Sequence, residues 1–434
     1  MKKGYIQFRR VLLCAAALIM SLSLLSQSSG WGNMFQNEAY ILIEAHENDS
    51  INKVFKKNTP IAYNAKNLPR FAIIGKNRHF YLGIGGYVKG TASYDFGSPI
   101  NNGSYFTTSS IPTNLSPGNG GLFQMSAQTS NLFFNFIALP NAKHHLGAYV
   151  NFNFAGDNDY GFDLQYAYLT YGGLMIGYNF SSFFDAAASP ATIDMEGPSS
   201  LPAVQHTLLN YTYSHKGWTF GIGIEAPQIS ITTDQYTSLV NQRIPDIPAF
   251  IQYGWNKGNS SVRISSLLRN LQYRNLVNHK NHNKVGWGFQ LSGVTQIHSV
   301  LNFYYQGIYG KGISNFIQDT DGLGLDMVPD QNVDGKMKLV KIWAAMGGFQ
   351  INFNPKVFSS HAYSQVRDYA DNYKNGSIQW GSQYKYAQYL VNNIFWQATS
   401  SVQLGLEYIW GRKTVMDNTH RHDNRIQFMM QYSF

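Results

Sequence analysis

The sequence has one cysteine, no long apolar run after residue 25 and few charged residues, and each scarcity excludes a class of protein. The single cysteine, Cys14, lies inside an apolar N-terminal stretch. The rest of the chain therefore has no disulfide, thiolate metal site or cysteine nucleophile. The absence of a second apolar run of about 20 residues excludes a helical membrane protein. Charged residues make up only 13% and Lys and Arg do not cluster, so nucleic acid is not an expected partner.

The N-terminus has the pattern of a secretory signal peptide. Lys2, Lys3, Arg9 and Arg10 precede an apolar stretch at residues 11–25, and the small and polar residues "SQSSG" follow it. The alternative, a membrane anchor, is disfavoured because the run is short for a spanning helix. We expect residues 1–30 to be removed. They carry four of the basic residues and no acid, so the formal charge falls from +9 to +5.

The remaining chain is rich in residues that suit strands with one apolar and one water-facing side. Tyr (29), Phe (28) and Gly (40) are abundant. In the final stretch "RIQFMMQYSF" the apolar Ile426, Phe428, Met430 and Tyr432 alternate with mostly polar neighbours. Alternation of this kind predicts β-strands. It recurs in sixteen segments between residues 79 and 434.

The gaps between these segments alternate between short and long, with long gaps at 96–119, 181–204, 227–247, 272–283, 312–335 and 368–381. Short turns at one end and long loops at the other are typical of an outer-membrane barrel with both termini on the periplasmic side. A soluble β-sandwich has no reason to sort its loops by length. We therefore predict an all-β protein, a transmembrane antiparallel up-and-down barrel of about sixteen strands at residues 79–434. A short periplasmic N-terminal segment at residues 31–78 would precede it.

A barrel of this width is too large for side chains to fill and leaves an aqueous channel. Passive passage of small hydrophilic solutes is the expected function, with selectivity set by the narrowest point. The candidate constriction is the loop at residues 181–202; the alternative, an ordinary external loop, stays open. Strand parity and this loop give the candidate pore-lining residues Lys89, Asp95, Asp185, Asp194, Glu196, Arg263, Arg269, Glu407 and Arg425. Lys284, Lys341 and Arg367 are further candidates for the lumen, although their alternation with apolar neighbours is less regular.

Several stretches resemble the DcaP-like trimeric porins of Gram-negative outer membranes. They include "LPRFAIIGKNRHFYLGIGGYVKG", "NFSSFFDAAASPATIDMEGPSS", "NYTYSHKGWTFGIGIEAP", "LGLEYIWGRK" and the terminal "NRIQFMMQYSF". The resemblance implies a homotrimer of sixteen-stranded barrels that takes up small, often anionic solutes such as dicarboxylates. Asn210 stands where an arginine is expected in many relatives, so cation preference through Asp185, Asp194 and Glu196 stays open.

The expected partners follow from this interpretation: the lipid and lipopolysaccharide of the outer membrane, small hydrophilic solutes, and the assembly machinery, which would read the C-terminal strand ending at Phe434. We expect no catalytic residues, cofactor or metal. "DTDGLGLD" (residues 319–326) lacks the spacing of an EF-hand and is expected to be an external loop. The alternatives are a receptor or adhesin barrel and, third, a barrel-embedded hydrolase, for which a nucleophile elbow is missing.

Overall fold

The computed structural model describes residues 40–44, 50–56, 58–60, 68–75, 79–138, 145–157, 160–370 and 378–434. The predicted signal peptide lies outside these residues. The strands are β1 (Tyr40–Glu44), β2 (Phe71–Gly75), β3 (Phe80–Phe96), β4 (Gly121–Ser126), β5 (Asn131–Ala138), β6 (Leu146–Gly156), β7 (Gly161–Tyr171), β8 (Leu174–Phe180), β9 (Gln205–His215), β10 (Trp218–Glu225), β11 (Thr237–Leu239), β12 (Ile247–Trp255), β13 (Ser260–Asn275), β14 (Lys280–His298), β15 (Leu301–Lys311), β16 (Met327–Pro329), β17 (Met337–Leu339), β18 (Lys341–Asn354), β19 (Val357–Asp368), β20 (Tyr384–Gln397), β21 (Val402–Val415) and β22 (His420–Ser433).

Helical structure is scarce in the described part of the chain. It consists of α1 (Ser50–Phe55), α2 (Ile378–Gly381) and 3-10 turns at Thr108–Ser110, Ala186–Ala188, Asn256–Gly258, Ser314–Phe316 and Gln318–Thr320. Among the helices of the described ranges, none has the length and apolar character needed to cross a membrane.

Sixteen antiparallel strands close into a barrel, as predicted. Each strand pairs with the next along the chain, and β22 closes the ring on β3 with Arg425 opposite Asp95 and Ser433 opposite Tyr87. The segments β4 and β5 together form the second strand, since both pair with β3 on its other side. Beyond the C-terminal end of β22, β2 pairs with the first residues of β3, and β1 pairs with β2.

Side chains alternate between the two faces of the wall. On β22, Arg425, Gln427 and Met429 are buried on the inside, whereas Ile426 and Phe428 are about half exposed on the outside. The outside carries an apolar surface that only lipid can cover favourably, and the inside carries the polar groups. The register is fixed because a slip of one residue would exchange these two faces.

Short and long connections lie at opposite ends of the barrel, and one of the predicted long gaps is not observed. Two-residue turns join β9 to β10 and β18 to β19 at one end, whereas residues 97–120, 181–204 and 312–340 form long connections at the other end, which is therefore extracellular. The predicted long gap at 272–283 is wrong. The strands β13 and β14 continue to Asn275 and Lys280 and leave a connection at residues 276–279.

Candidate functional site

Three extracellular connections turn into the barrel: loop A (residues 97–120), loop B (181–204) and loop C (312–340). Their apolar side chains pack on the inner wall. Phe106 of loop A is buried with Tyr389 and Ile409 of the wall, and Phe183 of loop B is buried with Phe316 of loop C. The interior at this level is therefore occupied by ordered loops, and loop B takes the inward course expected of a constriction.

Glycines on the inner wall make room for these side chains. A Cβ at Gly405 would lie 2.8 Å from Ile193 Cδ1, and a Cβ at Gly411 would lie 2.5 Å from Phe106 Cε1. At these distances a side chain at either position would require the loop residue to shift. Glycine within a strand often marks such a close approach, and here it marks where loops A and B contact β21.

Glu407, on the inner face of β21, holds the tip of loop B. Its Oε2 accepts hydrogen bonds from the backbone N–H of Ile193 at 2.8 Å and from Asn393 Nδ2 at 2.8 Å. Its Oε1 accepts from the backbone N–H of Asp194 at 2.9 Å and from Gln427 Nε2 at 2.7 Å. A buried carboxylate that accepts four hydrogen bonds is fully satisfied and fixes the backbone that donates to it.

Lys89 completes this attachment from β3, which is separated from β21 in the wall by β22. Its Nζ donates to the carbonyl oxygen of Ile193 at 2.8 Å, and the side chain is buried. The N–H and the C=O of one loop residue are thus held by an acid on β21 and a base on β3. Groups of opposite charge thus bind the backbone of one loop residue.

Asp194 connects loop B to loop A. Its Oδ1 accepts from the backbone N–H of Phe106 at 2.8 Å, and its Oδ2 accepts from the Tyr389 hydroxyl at 2.9 Å. The same carboxylate also accepts from the backbone N–H groups of Glu196 and Gly197. Asp194 therefore acts as a turn-forming residue that also joins two loops to the wall.

The first turn of loop B is held from β13 and β14. Arg263 donates to the carbonyl oxygen of Ser182, and its guanidinium stacks 3.6 Å from the centroid of the Phe250 ring. Asp185 caps the 3-10 turn Ala186–Ala188 and accepts from Ser292 Oγ at 2.7 Å. Loop B is therefore attached to opposite sides of the barrel and crosses its interior.

Arg269, on the inner face of β13, holds loop C. Its Nε lies 3.1 Å from Asp246 Oδ2 and its Nη1 lies 3.0 Å from Asp326 Oδ2. All three side chains are fully buried. Its Nη1 donates to the carbonyl oxygen of Gly312 at 2.9 Å. One buried cation is thus shared by two carboxylates from two different extracellular connections.

Arg425 and Asp95 form a second buried ion pair at the barrel seam. The arrangement is bidentate: Arg425 Nε donates to Asp95 Oδ1 at 2.6 Å, and Arg425 Nη2 donates to Asp95 Oδ2 at 2.8 Å. Asp95 also accepts from the backbone N–H of Ile100 at 3.2 Å, and Arg425 stacks on the Phe106 ring of loop A. The pair therefore ties loop A to the strands that close the barrel.

The structure places all nine candidate residues on the inner wall or in loop B, but it does not leave them free in the lumen. Eight are buried and engaged in the contacts above; Glu196 is half-buried. These eight side chains hold loops in place, and the role of the nine residues as pore-lining groups stays a prediction. Lys284 also faces inward, whereas Lys341 and Arg367 face outward, with their cationic groups near the Tyr369 ring.

Several participants were not predicted from the sequence. They are Asp246, Asp326, Asn393, Gln427 and Tyr389. Parity places Gln427 on the polar face of β22 and would have identified it. Asp246 and Asp326 lie outside the barrel strands, where no periodicity predicts direction.

The segment "DTDGLGLD" lies in loop C, after the extracellular end of β15, but it is not a freely exposed loop. Asp319 Oδ1 accepts from Thr108 Oγ1 at 2.5 Å, Asp319 Oδ2 accepts from the Tyr384 hydroxyl at 2.7 Å, and Asp326 binds Arg269. These acids join loops A and C to each other and to the wall. In the described part of the chain, no group of three or more His, Cys, Asp or Glu residues is arranged to hold a metal ion.

At the periplasmic end, the described part of the predicted N-terminal segment also contacts the inner wall. Asn58 Nδ2 donates to Asn135 Oδ1 at 3.0 Å, and Thr170 Oγ1 donates to Asn58 Oδ1 at 2.7 Å. A Cβ at Gly83 would lie 2.5 Å from Pro69 Cγ and 3.0 Å from Phe55 Cε1. The helix α1, Asn58 and Pro69 therefore lie inside the barrel mouth.

We expect Asn58→Ala to loosen this N-terminal contact. It removes both side-chain hydrogen bonds and leaves the buried Asn135 and the half-buried Thr170 with fewer partners, at a local cost of roughly 1–3 kcal/mol. Cleavage near α1 by a protease added to the periplasmic side should become faster, and conductance should rise. Lys56→Gln, on the exposed side of the same segment, is the matched control. Unchanged cleavage and conductance in Asn58→Ala would show that the contact does not obstruct the mouth.

Comparisons with known proteins agree with this architecture. The model of a family described as the Porin subfamily matches residues 83–429. No curated protein sequence matches the chain. Among solved structures, the outer membrane channel DcaP of Acinetobacter baumannii superposes with a TM-score of 0.70 at 18% identity, covering 86% of this chain and 99% of that one.

Two further structures share the fold at lower similarity. An anion-selective porin from Comamonas acidovorans gives a TM-score of 0.51 at 10% identity and covers 82% of this chain and 100% of its own. A loop-deletion mutant of the outer membrane protein OmpT of Vibrio cholerae gives 0.51 at 9% identity, with 82% and 100% coverage.

Proposed function

The chain belongs to the Porin subfamily and is an outer-membrane channel of a Gram-negative bacterium, and from this premise we propose that it passes small hydrophilic solutes by passive diffusion and prefers anions of the dicarboxylate type. The observation that carries the proposed preference is the fate of the acids of loop B. The carboxylates of Asp185 and Asp194 accept hydrogen bonds from side chains of the wall and from the loop backbone. These two carboxylates are therefore buried and not exposed to a passing solute.

Basic groups on the inner face support the same preference. Lys284 on β14 and Lys413 on β21 face inward and are half-buried, and Lys413 Nζ also donates to the carbonyl oxygen of Ser109 in loop A. Positive potential along a water-filled passage raises the local concentration of anions. The fold is shared with a porin described as anion-selective. The chain without residues 1–30 is also positive overall, since removal of four basic residues lowers its formal charge from +9 to +5.

Swelling of proteoliposomes tests the proposed solute class. Vesicles containing the purified protein are transferred into isotonic solutions of a small dicarboxylate, a neutral sugar of similar size or a diamine dication. We expect the swelling rate to fall in that order. Faster entry of the dication would contradict the anion preference, and failure to swell with every solute would favour a receptor or adhesin barrel.

Glu196 makes the preference depend on pH. Burial, with the charges of Asp194, Asp319 and Asp321 adding to it, raises the pKa of Glu196 well above its ordinary value. The carboxyl is neutral below this raised pKa and negative above it. We expect anion preference, measured as a reversal potential in a salt gradient, to weaken as pH rises through that pKa. Glu196→Gln should remove this part of the dependence, and a variant with the wild-type pH profile would contradict the assignment.

We further propose a homotrimer, which the sequence resemblance to DcaP-like porins implies, and recognition of the C-terminal strand by the assembly machinery. The backbone of Phe434 pairs with Gly86 through hydrogen bonds of 2.9 Å and 3.0 Å, so the last residue takes part in closing the barrel. Family and fold are those of a channel, and we propose no enzymatic activity.

A further inference from the structure

Three basic side chains lie side by side on the outer face of the barrel at its extracellular end. Lys311 ends β15, Lys341 begins β18 and Arg367 lies near the end of β19. Lys311 is the direct cross-strand partner of Lys341, and Arg367 is the partner of Trp343. We call these three residues the outer basic cluster.

The pairing of Lys311 with Lys341 is unfavourable for the barrel taken alone. Like charges directly opposite each other on one face of a sheet repel and destabilise the pair. The outward positions of β15, β18 and β19 carry no acid, and the acid of β19, Asp368, faces inward and is buried. An anion bound from outside the barrel would remove this repulsion.

Aromatic rings hold the cationic groups in place. Lys341 Nζ lies 5.2 Å and Arg367 Cζ 4.9 Å from the centroid of the Tyr369 ring, and Arg367 Cζ lies 5.8 Å from that of Tyr386. Trp343 Nε1 donates to the Tyr369 hydroxyl at 3.2 Å. These contacts order long side chains that would otherwise lose entropy when they bind a ligand.

The position of the cluster along the strands indicates which anion it meets. Outward residues of β18 run from Phe353 and Phe349 through Trp343 to Lys341, and those of β15 run from Phe303 through Tyr309 to Lys311. Apolar, then aromatic, then basic is the order from acyl chains through the membrane interface to charged headgroups. The cluster therefore lies at the depth of headgroup phosphates in the outer leaflet.

We propose that the outer basic cluster binds the phosphate groups of a phosphorylated glycolipid in the outer leaflet. The ligand's acyl chains would cover the apolar residues below, and its phosphate would lie between Lys311 and Lys341, with Arg367 as the third donor. The cluster faces away from the lumen, so this site is separate from the solute path.

The test compares a double variant with a matched control at the opposite, periplasmic end of the barrel. Lys311→Gln/Lys341→Gln removes the facing pair. Lys257→Gln/Lys356→Gln removes two exposed lysines from turns at the periplasmic end, one of which joins β18 to β19. Full-length mature protein in detergent is titrated with diphosphorylated lipid A, with the same lipid after enzymatic dephosphorylation, and with inorganic phosphate. Bound lipid is counted by native mass spectrometry.

We expect the wild type and the control to bind diphosphorylated lipid A equally, and the double variant to bind it at least tenfold more weakly, since each basic residue near an anionic surface contributes about 1 kcal/mol. Without lipid, the double variant should unfold at the same or a higher temperature, because the repulsion is gone. Equal binding by the double variant, or equal binding of dephosphorylated lipid, would overturn the proposal. Competition by millimolar inorganic phosphate would also overturn it, by showing a site for free anions. If the double variant does not fold, Lys341→Gln alone is tested by the same criteria.

Discussion

Glu407→Gln is expected to release the tip of loop B and to increase the conductance of the channel. The carboxylate accepts four hydrogen bonds, two of them from the loop backbone at Ile193 and Asp194. The glutamine amide has the same shape, but its NH₂ group cannot accept the two hydrogen bonds that one carboxylate oxygen accepts. The two donors lose their acceptor, and each buried donor left unsatisfied costs about 1–3 kcal/mol of stability. The attached state of the loop should therefore lose about tenfold or more in population relative to a detached state.

Single-channel recording and limited proteolysis measure this release. Conductance should rise and become noisier, and residues 181–204 should be cleaved faster from the extracellular side. Gln427→Ala is the graded control, because it removes one donor and leaves Glu407 with three. If Glu407→Gln has the conductance of the wild type, loop B is held by its packing, and Glu407 has no role in setting the passage.

Arg269→Met is expected to cause the largest loss of stability. The substitution leaves Asp246 and Asp326 buried side by side without their shared cation. Removing one partner from a buried ion pair typically costs about 3–5 kcal/mol. We expect a lower midpoint of urea unfolding in lipid vesicles, together with release of loop C from β13.

A triple variant separates the charge effect from loss of packing. Arg269→Met/Asp246→Asn/Asp326→Asn removes the uncompensated acids and should recover most of the lost stability, since neutral replacements of buried ion pairs are often tolerated. Equal destabilisation by the single and triple variants would show that the arginine matters for its volume and its bond to Gly312. The ion triad would then not be the anchor of loop C.

The sequence predicted the barrel well because each membrane strand carries its own alternation. The predicted and observed segments agree in number. The prediction failed at residues 272–283, where β13 and β14 rise above the membrane. Apart from Tyr273, the strand residues of this hairpin are polar, so the alternation that marks a spanning strand is absent.

The orientation of β18 was ambiguous for the opposite reason. Its inner face carries Ile342, Ala344 and Met346, which are buried against loops B and C. With apolar residues on both faces, parity does not distinguish lumen from lipid, and Lys341 was a candidate for the wrong side. The inward folding of a loop thus removes the pattern on which prediction of the wall depends.

The charged residues of the site were found by parity, but their partners were not. Arg269 and Asp326 are far apart in sequence and meet only because loop C turns inward. Loop direction has no periodicity, and hydrogen bonds to loop backbone, such as those of Glu407, leave no trace in residue type. Parity therefore predicted which charged side chains enter the barrel, but it did not predict that most of them are buried.

Planar-bilayer recording of the purified mature protein across a KCl gradient tests the central claim most directly, namely that the three inward loops leave a water-filled passage that prefers anions. We predict conductance steps in groups of three equal levels and a reversal potential of the sign that anion flux sets. A cation-selective reversal potential would contradict the proposed preference and assign selectivity to Asp185, Asp194 and Glu196. Absence of any conductance would contradict the channel itself.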